Sequence, residues 1–392
     1  MIADHPDARP ALLPALAAMT WLQAMVALAL FAPGAVAPTA GLSVQSLSVF
    51  STAVFAVGVL TTFWAGGPIN RIGSLRVASL CAAAVVASMA LATLGSGAAL
   101  LLAGLCLGFA FGPETPASTA LLGKLVTDER RALVFSVRQT GNQIGAVLGS
   151  LTLPAIAIWL APQWSYAAVG VCAIGGILVF EWLRPAYAGL AQAPPQLGMR
   201  ARLALVSSDR RLAALTAASI PFSGMQLALN TYFVTLGVRE LGLSHIEAGV
   251  ALACAQGGGL LGRLGWGFLA MRIGATRLIL VSLGLGMAVC AAMFGLFGDV
   301  LGKAGLYAVA AAFGLTASGW NGVFLAEVAR LAPQDRIGET TGAVLTASYA
   351  GLLVTPALIS IAERFVGLPG AFVGLAILAF CGTVALISGG AR

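Results

Sequence analysis

The residue best placed to do chemistry in this chain is a carboxylate between two prolines, Glu114 in Gly112-Pro113-Glu114-Thr115-Pro116. Its natural partner is Arg138, which opens Arg138-Gln139-Thr140-Gly141. Both fall in apolar runs. Glu114 lies about 10 residues from the polar end of its run, roughly 15 Å deep at 1.5 Å per helical residue, and Arg138, seven residues past Arg131, is roughly 10 Å in. A charge near a bilayer centre costs about 2.5–3.5 kcal/mol on insertion scales, so each needs a partner, a proton or water. The flanking prolines break the backbone ladder and are expected to free carbonyls towards a cavity. Two roles fit such a pair: a static ion pair that braces the bundle, or an exchange in which Arg138 receives an anion while Glu114 takes a proton. An apolar surround favours the neutral carboxyl and a nearby guanidinium favours the carboxylate, so separating the pair loads a proton.

The elements that must position these groups are membrane helices. The 392 residues are 59% hydrophobic and 9% charged, where a soluble domain is about a quarter charged; mean hydropathy is +0.96. The apolar runs have the roughly 20-residue length of a spanning helix and lack the alternation of a barrel strand. Helices also satisfy their backbone groups within each segment. Twelve spans are expected, near 11–34, 45–66, 76–95, 98–123, 132–160, 164–183, 211–236, 246–270, 277–297, 303–328, 339–362 and 368–388. The polar stretch with Pro185, Pro194 and Pro195 reads as a linker. The fold class is therefore an all-α integral membrane protein of twelve transmembrane helices, with a first six-helix bundle over 1–184, a linker over 185–210 and a second bundle over 211–392.

Basic residues set the orientation. With Arg138 and Arg263 set aside as intramembrane, 16 of the remaining 19 lie at the termini or on the 2–3, 4–5, 6–7, 8–9 and 10–11 connections. Only Arg239, Lys303 and Arg364 lie opposite, which predicts cytoplasmic termini and linker. The +7 net charge is thus spread over short connections, which argues against a nucleic-acid partner. Ala35-Val36-Ala37 imitates a signal-peptide cleavage site, but Asp4 and Asp7 make the leader acidic, and the apolar run exceeds the usual 7–15 residues; it reads as a retained first helix. Cys81, Cys106, Cys172, Cys254, Cys290 and Cys381 sit singly in predicted helices, and His5 and His245 sit in loops. No metal site, disulfide or cofactor is expected from that spacing.

The chain repeats itself. Gly66, Arg71, Ile72, Gly73 and Arg76 recur 201 positions later as Gly267, Arg272, Ile273, Gly274 and Arg277, and Gly41-Leu42-Ser43 recurs as Gly242-Leu243-Ser244. Equal hydrophobic halves carrying the same hairpin mark a duplicated transporter. The hairpin resembles the loop signature of the major facilitator superfamily, Gly-x-x-x-Asp-Arg-x-Gly-Arg/Lys, and the resemblance covers essentially the whole chain. It implies pseudo-symmetric halves that rock about a central site, in a bacterial inner membrane, with the repeated motif as a gate. The gating residues it implies are Gly66, Asn70, Arg71, Gly73, Arg76, Gly267, Arg272, Gly274 and Arg277. The signature's acidic residue is replaced by Asn70 in one copy and Met271 in the other, which puts the acidic latch of the second half in doubt. Tight loops anchored at lipid headgroups are the plainer reading of Arg76 and Arg277. Arg138-Gln139-Thr140-Gly141 and Gly319-Trp320-Asn321-Gly322 show a weak similarity to the cyanate and nitroimidazole porter branch, without that branch's arginine in helix 1.

The resemblance implies that helices 1, 4, 7 and 10 line a central cavity. Their polar residues give the candidate substrate contacts Gln23, Gln226, Asn230, Trp320 and Asn321, joined by Arg138 and Asn142 of helix 5, with Glu114 as proton carrier. Any one Gln or Asn is also ordinary helix-to-helix glue. Arg263 is expected either in the cavity or paired with Glu327 or Glu339, the latter preferred because Arg272 is only nine residues away. Gly141, Gly145 and Gly149 allow close helix contact, and with Pro154 they partly resemble the antiporters' helix-5 motif.

The reading is a secondary transporter of a small, anionic organic solute, coupled to protons, working as a monomer in the bilayer and with no enzymatic activity. The alternative is a proton-driven efflux antiporter for drug-like compounds or metabolites, with Trp320 and Trp21 as an apolar surface. A sensor or scaffold that no longer cycles is the third reading, kept open by Met271.

Overall fold

The computed structural model describes residues 11–42, 44–190, 197–207 and 209–389; the chain ends and Pro194 and Pro195, expected on one membrane face, lie outside them. In chain order the helices are α1 (Leu12–Ala40), α2 (Val44–Trp64), α3 (Gly66–Ile72), α4 (Ser74–Ala92), α5 (Gly97–Leu125), α6 (Asp128–Gln139), α7 (Gly141–Trp159) and α8 (Pro162–Leu183). They continue as α9 (Met199–Ser207), α10 (Arg210–Thr231), α11 (Phe233–Arg239), α12 (His245–Ile273), α13 (Thr276–Phe297), α14 (Gly302–Ala317), α15 (Trp320–Leu331) and α16 (Ile337–Ser388). Ten segments are long and apolar enough to cross a membrane. One of them, α16, runs for 52 residues and turns at Gly367 (φ 69°) two residues before Pro369, so it supplies two spans. The 29-residue α12 supplies the twelfth.

Three spans are broken where single helices are expected, the seventh at Tyr232 between α10 and α11. The fifth is interrupted at Thr140, whose amide and hydroxyl both turn back to the Val137 carbonyl, at 3.0 and 2.7 Å. The tenth is interrupted between Ala317 and Trp320 at Ser318-Gly319. Local 3₁₀-type bonds and glycine weaken the α-helical ladder at such points. The 2–3 connection and the linker also hold short helices, α3 and a 3₁₀ turn over Arg184–Leu190 followed by α9, where irregular chain is expected.

The glycines of the internal echo separate into two physical kinds. Gly41 and Gly242 have φ of 63° and 64°, and Gly73 and Gly274 have φ of 84° and 69°. Only glycine adopts this region without strain, and Gly41 and Gly274 end their helices there. Gly66 and Gly267 serve contact instead. A Cβ on Gly66 would collide with Glu339 of α16, and one on Gly267 with Ser136 of α6. The repeat thus places the same glycine of each half against the fifth span of the other.

These contacts belong to one seam at the basic end of the bundle, the end that carries the Arg- and Lys-rich connections. Gly322 also meets Ser136, Gly342 meets the Thr62 carbonyl, and Gly338 meets Ala120. The two halves are held together there by α6 on α12 and α15, and by α16 on α2 and α5, while α1, α7, α10 and α13 pack chiefly within their own halves. Closure around Met271 therefore does not depend on a carboxylate at that position, because glycines let the backbone of one half lie directly on residues of the other.

Within the first half, a Cβ on Gly141 would strike the Thr20 carbonyl and one on Gly145 the Ala24 carbonyl, so these glycines let α7 lie directly on α1. Gly145→Leu should lower stability by about 1–3 kcal/mol through overpacking. Gly175→Leu, where nothing lies within 4 Å, should be neutral; thermal unfolding of both variants in detergent checks the contrast.

Candidate functional site

The site is built where α5 is weakened. Pro116 has no N–H to bond the Gly112 carbonyl four residues earlier. That carbonyl is taken by the Thr62 hydroxyl of α2 at 2.9 Å, while the Thr61 hydroxyl takes the Gly108 carbonyl at 2.9 Å. The expected opening of the Gly112 carbonyl to a cavity is corrected: it is satisfied by a neighbouring helix, which pins α2 to α5 and holds the Glu114 turn in place.

Glu114 and Arg138 form an ion pair through Arg138 Nη2 and Glu114 Oε2. Both are buried, at 5% and 1% exposure. The Thr115 hydroxyl donates to the same carboxylate oxygen at 2.9 Å and accepts from Arg138 Nη1 at 3.2 Å. Arg138 Nη1 also reaches Gln139 Oε1 at 3.3 Å, and that oxygen accepts from Gln23 Nε2 of α1. The break at Thr140 makes this network possible, since Gln139 ends α6 and its carbonyl has no helical donor. Arg263 of α12 donates Nη1 to that carbonyl at 3.0 Å across the two halves. Tyr349 of α16 lies against Phe111 with ring centroids 4.9 Å apart and the rings tilted at 43°.

The preferred pairing of Arg263 with Glu327 or Glu339 is corrected. Glu327 is held by Arg330 at 2.5 Å and by the Thr276 hydroxyl, and Glu339 by Arg336 at 2.9 Å. Both acids sit at the basic end, whereas nine residues of helix place Arg263 roughly 13 Å from Arg272. Away from the basic end, the buried charges of the network are therefore two guanidiniums, Arg138 and Arg263, and one carboxylate, Glu114. Arg138 Nε, Arg263 Nε and Gln23 Oε1 are buried with no hydrogen-bond partner among the described residues.

The remaining candidates fall in three places. Asn321 donates to Gln226 at 3.0 Å, and Asn230 accepts from Gln256 at 2.8 Å, giving two amide pairs in the second half. Asn142 is half-buried in the first turn of α7. Trp320 is 1% exposed and edge-on to Phe222 and Phe324, so its ring is core and does not line open space. Among the gate residues, Arg76 pairs with Glu181 at 3.1 Å and Arg277 donates to the Leu386 and Ile387 carbonyls. Each thus ties the third span of its half to the end of the sixth. Arg272 lies over the Phe268 ring at 5.0 Å, Arg71 is exposed and Asn70 half-buried.

Sequence reasoning missed Gln139, Gln256 and Tyr349 as members of the polar set. Gln256 precedes Arg263 by seven residues, two helical turns on one face, which is a usable signal. Nothing in the sequence marks Tyr349.

A helical bundle with broken spans and a buried ionic network between its halves is the architecture of a membrane transporter. The Major Facilitator Superfamily profile matches residues 15–356, and the chain belongs to that family; it is a transporter and not an enzyme. Among solved structures, the human organic anion transporter MFSD10 is 18% identical with a TM-score of 0.77, over 97% of this chain and 100% of that one. A bacterial homologue of the iron transporter ferroportin is 16% identical with a TM-score of 0.77, over 97% and 99%. The E. coli fucose:proton symporter FucP is 15% identical with a TM-score of 0.70, over 96% and 98%. At these identities the likeness is one of fold. No curated protein sequence matches the chain.

Removing one partner of a buried pair leaves an uncompensated charge and costs about 3–5 kcal/mol, whereas a neutral replacement of both is tolerated. Arg138→Met should therefore destabilise strongly, and Glu114→Gln with Arg138→Met should recover most of the loss. Thermal unfolding of the single and double variants checks this, and additive losses would contradict the pairing.

Proposed function

We propose that the chain is a proton-coupled secondary transporter of a small organic anion. The observation that carries this reading is the surplus positive charge of the buried network. Glu114 pairs with Arg138 alone, Arg263 has only the Gln139 carbonyl, and each guanidinium keeps a nitrogen without a partner among the described residues. An anion held between Arg138 and Arg263 would complete that network. Its arrival at Arg138 competes with Glu114, and the released carboxylate, in an apolar surround, takes a proton. Binding of a monoanion together with a proton leaves the site's net charge unchanged, which eases its passage across the membrane.

The basic connections support an orientation in a bacterial inner membrane with both termini, the linker over 185–210 and the seam on the cytoplasmic side. On that orientation the closed seam makes this the outward-facing state. The bundles over 1–184 and 211–392 would then rock as units about the network, with Gly66 and Gly267 separating from Glu339 and Ser136 when the seam opens. The amides Gln23, Asn142, Gln226, Asn230 and Asn321 supply uncharged contacts to the solute, and the protein works as a monomer in the bilayer. Trp320 supports the site from the core behind it.

Organic anions should raise the thermal stability of the purified protein, by about 2.7 kcal/mol at a concentration near 100 times the Kd. The shift should be larger at pH 6 than at pH 8, because proton uptake on binding is favoured at low pH. It should lose this pH dependence in Glu114→Gln and disappear in Arg138→Gln. Stabilisation by cationic or neutral amphiphiles alone, or an undiminished anion shift in Arg138→Gln, would overturn the reading.

A further inference from the structure

A second polar site lies away from the buried network. At the basic end, a cavity of about 440 Å³ opens between the 2–3 connection, the end of α5, the 3₁₀ turn of the linker and the start of α16. A volume of this size is in the range of small-ligand pockets. Its walls carry Arg71, Arg76, Lys124 and Arg184 against a single carboxylate, Asp335. Glu181, which stands behind the wall, is shared by Arg76 and Arg184 at 3.1 and 3.2 Å. Counting both acids, the cluster keeps a surplus of two positive charges.

Three further features point to an anionic ligand. Ser74 and Ile337, the first residues of α4 and α16, both line the cavity, so two helix N-termini lie beside one volume and bring the partial positive charge of their dipoles towards it. Arg71 is exposed and has no ion-pair partner among the described residues. Asn70 also lines the cavity, and its Nδ2 is buried with no hydrogen-bond partner. Lys124 is tethered at 2.7 Å by the Leu190 carbonyl, which holds the linker turn over the site.

We propose that this cavity binds a phosphate-bearing anion, and that the ligand holds the seam closed. The two positive charges match a phosphate monoester, with the Arg71 guanidinium as a free donor. The state dependence follows from the lining. Asp335, Ile337 and Gly338 come from the second half, and the remaining wall comes from the first half and the linker. The site is complete only while the halves meet at the basic end. A ligand that binds one of two states shifts the population towards that state by its differential affinity. The bound phosphate would therefore slow opening at this end, whatever solute the buried network carries. Its source is either a free phosphate compound or the headgroup of an acidic phospholipid.

The test measures binding to the full-length protein in two arms at fixed ionic strength. One arm adds inorganic phosphate or glycerol phosphate in a lipid-free neutral detergent, with sulfate and chloride as comparison ions. The other places the protein in nanodiscs of phosphatidylcholine with or without phosphatidylglycerol, and reads thermal stability. Stabilisation in the first arm assigns a soluble phosphate, and stabilisation confined to the second assigns the lipid headgroup. In either case Arg71→Gln with Lys124→Gln should weaken the effect about tenfold or more, while Lys303→Gln at the opposite end leaves it intact. Gly66→Leu, which touches none of the cations but forces Glu339 away, should weaken it as well. Stabilisation that is absent in both arms, equal in the Arg71/Lys124 variant, or unaffected by Gly66→Leu would overturn the proposal.

Discussion

An ion that has lost its water must find a partner within the protein, and in this chain that constraint organises the membrane interior. Glu114, Arg138 and Arg263 are each at most 5% exposed. No helix surface alone could satisfy them, because a regular helix uses up its own backbone donors and acceptors. The fifth span is broken at Thr140, so the Gln139 carbonyl is left to accept from Arg263 across the two halves. Pro116 removes a donor from α5, and Thr62 of α2 supplies one in return. The break at Thr140 and the missing donor at Pro116 each leave a carbonyl with a named partner on a neighbouring helix. The charges are not fully balanced, however: Arg138 has a carboxylate where Arg263 has only a backbone carbonyl.

Closure of the bundle rests on a different kind of force. The seam at the basic end is made by glycines in contact with the opposite half, and the same position of each copy of the repeat provides it. Close approach of backbones gains dispersion over many atoms and needs no specific charge. That explains how Asn70 and Met271 can stand where the family carries an acid. The last arginine of each copy of the repeat has the separate task of tying helix ends together within its half, as Arg76 does with Glu181 and Arg277 with the Leu386 and Ile387 carbonyls. The seam can open without breaking an exposed ion pair, while the halves themselves stay intact.

Much of this was legible in the sequence, and for physical reasons. Apolar length specifies spanning helices, and the 201-residue echo specifies two halves. The positive-φ glycines at 41, 73, 242 and 274 are visible because no other residue fits those turns. Glu114 and Arg138 could be paired in advance because consecutive spans are neighbours and buried opposite charges seek each other. Arg263 was misassigned because sequence distance to a charge gives depth but not direction. It faces the other half, where its partner is a backbone carbonyl that no residue type announces. Trp320 shows the same limit, since an aromatic ring on a cavity-lining helix can equally face the core, as its contacts with Phe222 and Phe324 do. The helix breaks within the fifth, seventh and tenth spans are also invisible, because apolarity continues through them.

The central claim is that an anion and a proton enter the network together, the one at Arg138 and the other at Glu114. The most direct measurement is proton uptake by the purified protein in weakly buffered detergent solution, followed with a pH indicator as a stabilising anion is added to saturation. The account predicts uptake of about one proton per anion bound in the wild-type protein, and none in Glu114→Gln even where that variant still binds the anion. Anion binding to the wild-type protein with no proton taken up would contradict it.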